Sequence, residues 1–366
     1  MDVTIDLKRI PSAEKMELNL RNLYESFGYA PYKMSKFEEY ELYAHNKDFL
    51  GDGGIMTFTN NRGRLMALKP DVTLSIVKNS KGSKGTQRVY YRENVYRASA
   101  GDGEFREIQQ CGIECIGDIS SYDITEVLLL ALKSLEAIGH PFKLEISHMG
   151  ILSSLIDEID ISADEKDKLL SCIKRKNSSG IREIAGCVAL ADAIELNGKP
   201  SKVISALKEL CTGSGYDAAV QLENAVNTLS ELGYADNIGI DLSVVNDMNY
   251  YRSLVFKGYI DCVPESVLVG GKYDDLVKKM GRDCGAIGFA LSLNKLSSIY
   301  RNERQNIADI LLVYDNSVSD MTLLTVGNAL RDKGNTVIVK KSTEALNNAG
   351  RILYVNSDGS TTEKEG

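Results

Sequence analysis

The stretch from Arg88 to Gly117 constrains this chain more than any other segment. Gly85–Arg97 reads as a strand, Ala98–Glu104 as a long polar loop, and Phe105–Gly117 as the antiparallel partner strand. With Ile108–Ile116 extended, Ile108, Gln110, Gly112, Glu114 and Ile116 share one face, while Gln109, Cys111, Ile113 and Cys115 share the other. The second face carries small apolar groups and suits packing against helices. The first sets an amide and a carboxylate two positions either side of a glycine, which removes a side chain from the floor between them. A small cationic or amphoteric ligand fits such a floor. On spacing alone a solvent-facing sheet surface is the simpler reading, since Gln and Glu are common there.

A second strand-forming stretch, Asp241–Phe256, contains Tyr250-Tyr251 and ends in Val255-Phe256. Paired tyrosines supply ring walls and hydroxyls for a ligand, or simply two β-forming aromatics on opposite faces of a sheet. Gly270-Gly271-Lys272-Tyr273-Asp274 lets a backbone approach a ligand closely, although a Gly-Gly turn alone is a weak signal. Arg97, at a strand end before the polar loop, can clamp a carboxylate or phosphate, or make an ordinary surface ion pair.

Composition narrows the function classes. The 366 residues suffice for about two or three domains and a sizeable core. A net charge of −8 gives no global field to attract a phosphate backbone, so a general nucleic-acid binder is not expected. Neither a membrane-spanning apolar run nor an N-terminal signal peptide is expected. Seven cysteines without close-set metal pairs suggest a reduced, cytoplasmic protein. Cys111 and Cys115 fall on one strand face, where burial is the simpler role. His45, His140 and His148 are scattered, so no metal and no cofactor is expected, and His148 reads as a hydrogen-bonded core histidine.

The remaining chain resolves into periodic segments. Met16, Leu20, Leu23 and Phe27 recur at helical spacing, with Ser12 as a start cap and Gly28 as a stop. Ile55–Asn60 and Arg64–Leu68 flank the turn Asn61-Arg62-Gly63, and a helix starts near Pro70-Asp71-Val72-Thr73. Ser120 with Asp123 resembles a capping box for a helix running to Ile138, and Phe142–His148 alternates as a strand. Residues 150–236 read as a helical insertion, because strands resume at Ile238. Val267–Val269 is a short strand, and Gly285–Leu296 runs from a strand into a helix. From about Asn306, strands at Ala308–Tyr314, Thr336–Lys340 and Arg351–Val355 with a helix at Asp320–Lys333 suggest a small α/β unit. It holds six Lys or Arg against eight Asp or Glu, so it is no basic platform. Ser357–Gly366 reads as disordered.

Taken together, roughly residues 5–300 resemble the catalytic core of class II aminoacyl-tRNA synthetases, specifically histidyl-tRNA synthetase. Tyr91–Arg97 and Phe105–Glu114 resemble its motif 2. Asp241-Leu242, Asn249-Tyr250-Tyr251 and Val255-Phe256 resemble its histidine-specific signature, Gly270–Asp274 its GGRYD, and Ala286–Ala290 the approach to motif 3. The order of these motifs makes the resemblance specific. It implies an α+β fold: an antiparallel sheet flanked by helices (1–149 and 237–303), the helical insertion, and a truncated α/β C-terminal unit (304–366). It also implies a histidine pocket. Asp71, Thr73 and Gln110 would receive the α-amino group, Glu114 and Tyr251 would face the imidazole, Tyr273 would line the pocket, and Arg97 matches the phosphate-binding arginine of motif 2. A buried ammonium needs acceptors, and an imidazole needs a polar partner to be told from an apolar side chain. These matches lift Gln110 and Glu114 above the surface reading.

The departures fall on the ATP-handling positions. The family's signature arginine is replaced by Asn246, followed by Asp247, and its motif 2 glutamate by Ser99. A basic loop position is Glu104, motif 3 ends in Asn294-Lys295 rather than Glu-Arg, and the motif 1 proline position is Ser35. Adenylate formation builds negative charge on a phosphate and needs a preorganised cation, which Asn cannot supply. A spared amino-acid pocket with losses at several nucleotide positions is similar to the ATP phosphoribosyltransferase regulatory subunits of histidine biosynthesis, synthetase paralogues without aminoacylation activity. The resemblance implies a non-catalytic, histidine-sensing subunit, dimeric and assembled with a short catalytic subunit. An active histidyl-tRNA synthetase is the alternative, and a stand-alone amino-acid-binding paralogue a third reading.

Overall fold

The computed structural model describes residues 10–50, 54–80, 85–98, 103–159, 161–184, 186–245, 253–300, 308–341 and 349–363. It divides into two compact units, 1–300 and 301–366. In chain order the strands are β1 (Ala30–Pro31), β2 (Phe37–Glu39), β3 (Thr57–Thr59), β4 (Leu65–Leu68), β5 (Gln87–Ala98), β6 (Phe105–Gly117), β7 (Phe142–His148), β8 (Ile238–Ile240), β9 (Leu254–Ile260), β10 (Leu268–Lys272), β11 (Gly285–Ser292), β12 (Ala308–Tyr314), β13 (Val337–Lys341), β14 (Ala349–Val355) and β15 (Thr361–Glu363).

The first unit is built on an eight-stranded sheet of order β1-β5-β6-β11-β10-β9-β7-β8. Its six inner strands are antiparallel, and each edge strand is parallel to its neighbour, β1 to β5 and β8 to β7. Residues β5 and β6 pair in the expected hairpin register, from Gln87 opposite Ile116 to Ala98 opposite Phe105. Cys111, Ile113 and Cys115 project into the larger core with the helices Ser12–Ser26 and Ser121–Glu136, as the alternation requires. Ile116 and Ile108 belong to a second core on the opposite face. A separate three-stranded sheet, β2-β4-β3, contains the expected Asn61-Arg62-Gly63 turn.

Local chemistry explains the helix boundaries. Ser120 Oγ accepts from the Asp123 amide while Asp123 accepts from the Ser120 amide at 2.9 Å, so the capping box is complete. Asp123 also receives Arg88 Nη2 at 2.6 Å, which ties the helix start to β5. The Ser12–Ser26 helix begins differently from the sequence expectation. Its N-cap is Pro11, and Ser12 is the first helical residue, with no side-chain cap. Proline presets the entry angle without needing a hydroxyl acceptor. Gly28 ends that segment at φ +81°, a conformation that costs other residues energy. His148 is the N-cap of the Met149–Asp157 helix: its Nδ1 accepts from the Gly150 amide at 3.1 Å. Burial lowers its pKa to about 4, so the ring is the neutral, hydrogen-bonded histidine that its sequence context suggests.

Helices occupy 150–236 almost throughout, from Met149–Asp157 to Gly213–Leu229. The second unit is a four-stranded sheet, β13-β12-β14-β15, beside the Asp320–Asp332 helix. One expectation is overturned here. Asn356–Ser360 turns the chain back, and Thr361–Glu363 pairs with Leu353–Val355 as β15 rather than being disordered. Arg351 clamps Glu363 through Nε and Nη2 at 2.8 and 2.6 Å, and Asp358 holds the turn through the Ser360 amide and hydroxyl. A polar composition hid these specific partners.

Candidate ligand-binding site

β6 places Gln110 and Glu114 on the face away from the Ser12–Ser26 and Ser121–Glu136 helices, and both are buried. Thr73, the first residue of the Thr73–Asn79 helix, donates its hydroxyl to Glu114 Oε1 at 2.6 Å. Tyr273, following the Gly-Gly pair of β10, donates its hydroxyl to Glu114 Oε2. The carboxyl is therefore gripped from two sides. Burial nevertheless pushes its pKa up to about 8, opposed by these two hydrogen bonds and assisted by the nearby Asp71 charge.

Asp71 sits at the mouth of the same helix. Its Oδ1 accepts from the Leu74 amide at 2.9 Å and its Oδ2 faces Arg97 Nη2 at 3.4 Å. Arg97 Nε donates to the Pro70 carbonyl at 2.6 Å, so the guanidinium is bound to the segment that carries Asp71 and Thr73. Burial raises the Asp71 pKa, against the pull of Arg97 and the backbone donors. The Gln110 side chain makes no hydrogen bond among the described residues, which leaves its amide for a ligand.

Asp71, Thr73, Arg97, Gln110, Glu114 and Tyr273 all line one cavity of about 1740 Å³. The seventh candidate, Tyr251, lies outside the described residues, as do Asn246, Asp247 and Ser99. Ser153, Ser154 and Leu170 from the helical segment also line it. Gly288 stands opposite Glu114 in β11, where a Cβ would fall 1.9 Å from Glu114 Oε2. A glycine at that position makes room for the carboxyl.

Gly112 has a different role from the one its spacing suggests. A Cβ there would lie 2.7 Å from the Tyr91 hydroxyl and 2.2 Å from the Phe289 carbonyl oxygen. The gap is filled by protein, with the Tyr91 ring laid across it from the directly opposed position on β5. Tyr91 is a wall of the cavity that sequence reasoning missed. Its signal was present in the hairpin register, which sets an aromatic opposite a glycine. Asn294, at a motif 3 position, is used structurally: its Oδ1 accepts from the Gln109 amide at 2.6 Å and its Nδ2 donates to the Glu107 carbonyl at 3.4 Å.

Among the described residues no group of three or more His, Cys, Asp or Glu side chains is placed to hold a metal ion. No helix among them is long and apolar enough to cross a membrane. What the cavity offers is hydrogen bonding: the buried Glu114 carboxyl, the unengaged Gln110 amide, and a second buried acid, Asp71.

Comparison with known proteins bears on the family. The family model described as histidyl-tRNA synthetase matches residues 5–296. The chain belongs to the histidyl-tRNA synthetase family. Within that family it is similar to an ATP phosphoribosyltransferase regulatory subunit from Oceanobacillus iheyensis, 28% identical over 356 residues, covering 93% of this chain and 87% of the relative. It superimposes on an ATP phosphoribosyltransferase regulatory subunit/histidyl-tRNA synthetase from Bacillus halodurans with a TM-score of 0.75 at 22% identity, covering 97% and 96% of the two chains. A chain of the ATP phosphoribosyl transferase (HisG:HisZ) complex from Thermotoga maritima gives a TM-score of 0.62 at 20% identity over 80% of this chain and 98% of that one. These structural likenesses establish the synthetase-like α+β fold.

Proposed function

We propose that this chain is the regulatory subunit of ATP phosphoribosyltransferase, which the first step of histidine biosynthesis requires, and that it senses histidine without activating it. The observation that carries the reading is the Thr73–Glu114–Tyr273 cluster: a buried carboxyl held at the floor of a synthetase-fold cavity, beside the unengaged Gln110 amide. A bound histidine would set its α-ammonium against Asp71, Thr73 and Gln110 and its imidazole N–H against Glu114. Tyr251 and Tyr273 would complete the walls, and Arg97 would reach the ligand's carboxylate. An imidazole N–H that adds a further donor to Glu114 discriminates histidine from an apolar side chain, which has no polar group to offer the buried carboxyl.

Relatives of nearly full length carry the regulatory-subunit name, and a fold neighbour comes from a complex with a catalytic partner. The nucleotide positions point the same way. Asn246 supplies no charge in sequence, and Asn294 is committed to the backbone of β6. In this reading the chain is not itself an enzyme, pairs as a homodimer inside a hetero-oligomer with the short catalytic subunit, and works in the cytoplasm. Residues 150–236 act as an insertion over the cavity. Histidine lowers output by binding one arrangement of that assembly more tightly than the other.

The active-synthetase reading has one observation in its favour, the retention of Arg97 beside the cavity. The regulatory reading is tested by mixing the chain with a short catalytic subunit and following phosphoribosyl-ATP formation from ATP and phosphoribosyl pyrophosphate. Formation that requires the chain and falls with histidine supports it. Formation indifferent to the chain overturns it.

A further inference from the structure

The segment that carries Asp71 and Thr73 to the cavity is anchored by a buried ion pair outside it. Lys69 follows the last residue of β4, and its side chain is almost wholly buried. Its ammonium donates to Glu93 Oε2 on β5. Among the described residues that ammonium has no other hydrogen-bond or ion-pair partner. The second oxygen of Glu93, Oε1, accepts from the Met34 amide at 3.4 Å. The backbone of Lys69 is tied as well. Its amide donates to the Lys36 carbonyl at 3.1 Å, and its carbonyl accepts from the Tyr96 amide at 2.9 Å.

Register and chain stiffness connect this pair to the ligand side. Glu93 stands directly opposite Gln110 in the β5–β6 ladder. Opposed residues of an antiparallel pair project to the same face, with Cα atoms about 5 Å apart. The carboxylate thus rises beside the amide that opens to the cavity. Along the chain, Pro70 separates Lys69 from Asp71. Proline fixes its own φ and holds the preceding residue extended. Whatever holds Lys69 therefore also places Asp71 and, two residues on, Thr73. Those two complete the path, since Asp71 Oδ1 accepts from the Leu74 amide at 2.9 Å and Thr73 donates to Glu114 at 2.6 Å. Arg97 holds the same segment at the Pro70 carbonyl, but its side chain is the more exposed of the two ties.

Neither Lys69 nor Glu93 lines the cavity. A buried ion pair is a poor source of stability, because desolvation offsets the attraction. What it supplies is one fixed geometry with no net charge. Both matter beside a place where an ammonium is to sit, because an uncompensated cation there would repel it. We propose that Lys69 and Glu93 are positioning residues for the α-amino end of the ligand site: they fix Asp71 and Thr73 against β5 and keep the Lys69 charge from opposing the ligand's ammonium. The inference rests on the reading that histidine's ammonium sits against Asp71, Thr73 and Gln110.

The test compares two ligands by calorimetry on the full chain: histidine, and imidazolepropionate, which is histidine without its α-amino group. Glu93→Gln keeps the side-chain shape and leaves the Lys69 ammonium uncompensated. It should weaken histidine about tenfold or more and leave imidazolepropionate within about twofold of the wild type. A pair that served the fold alone would weaken both ligands alike. That result, or undiminished histidine binding, overturns the proposal. Should Glu93→Gln not fold, Glu93→Asp, which withdraws the carboxylate by one methylene, carries the same comparison. Amide exchange on the ligand-free protein separates this proposal from the histidine reading. The Leu74 amide, held by Asp71, should exchange about tenfold faster in the variant while amides of the Ser121–Glu136 helix stay as they are. No heat with histidine on the wild type sinks the histidine reading, and exchange then decides the proposal by itself. Faster Leu74 exchange supports it, and unchanged exchange overturns it.

Discussion

Replacing Glu114 with glutamine tests the electrostatics of the cavity most sharply. Burial pushes the Glu114 carboxyl up to about 8 from the 4.5 of an unperturbed glutamate. The folded state thus holds this proton more tightly than the unfolded chain. Stability contributed by the neutral form is complete below the unfolded value and is lost as pH rises to the folded one. The gap corresponds to about 5 kcal/mol at most, because each unit is worth about 1.4 kcal/mol. Glutamine keeps the shape, can still meet the Thr73 and Tyr273 hydroxyls, and does not titrate. Urea unfolding of ligand-free wild type and Glu114→Gln should therefore diverge from pH 5 to pH 8.5, with the variant gaining several kcal/mol relative to wild type at the alkaline end. Taking the difference cancels His148, whose depressed pKa gives an opposite slope below its ordinary value of 6.5. A difference that stays flat across this range would refute the argument that burial dominates the two hydrogen bonds.

Three further substitutions probe the same construction. Gly288→Ala sets a methyl 1.9 Å from Glu114 Oε2 and 2.4 Å from the Ile113 carbonyl oxygen. It should cost about 1–3 kcal/mol in urea unfolding and abolish histidine binding, and a neutral outcome would show that the strands part without penalty. Tyr273→Phe removes one of the two donors to Glu114, so histidine affinity should fall about tenfold and stability by about 1 kcal/mol, read by calorimetry and denaturation. Lys69, whose side chain is 1% exposed, pairs with Glu93 on β5, and Lys69→Met should cost about 3–5 kcal/mol by stranding that carboxylate.

The sequence carried the parts of this structure that depend on local periodicity. The two faces of β6, the Ser120–Asp123 cap and the strand at Ala308–Tyr314 all follow from near neighbours in the chain. Contacts made across strands were harder to read. Tyr91 filling the gap at Gly112 and Lys69 reaching Glu93 each need a register or a crossover that periodicity does not encode. The end of the chain failed for a related reason. Composition described Ser357–Gly366 as too polar to fold, yet an Asp358-stabilised turn and the Arg351–Glu363 pair fix β15 on its neighbour. For the candidate pocket, motif order nominated the residues, and the fold brings six of them to one cavity. The position of Arg97, turned onto the Pro70 carbonyl and Asp71, was visible only in three dimensions.

Histidine-dependent exchange of pyrophosphate into ATP tests the central claim most directly, because it reads amino-acid activation without requiring tRNA. If the cavity senses histidine without activating it, as proposed, the chain should show no exchange above background at saturating histidine and ATP, because Asn246 stands at the position of the signature arginine. Clear exchange that depends on histidine would contradict the account and make the chain a working synthetase.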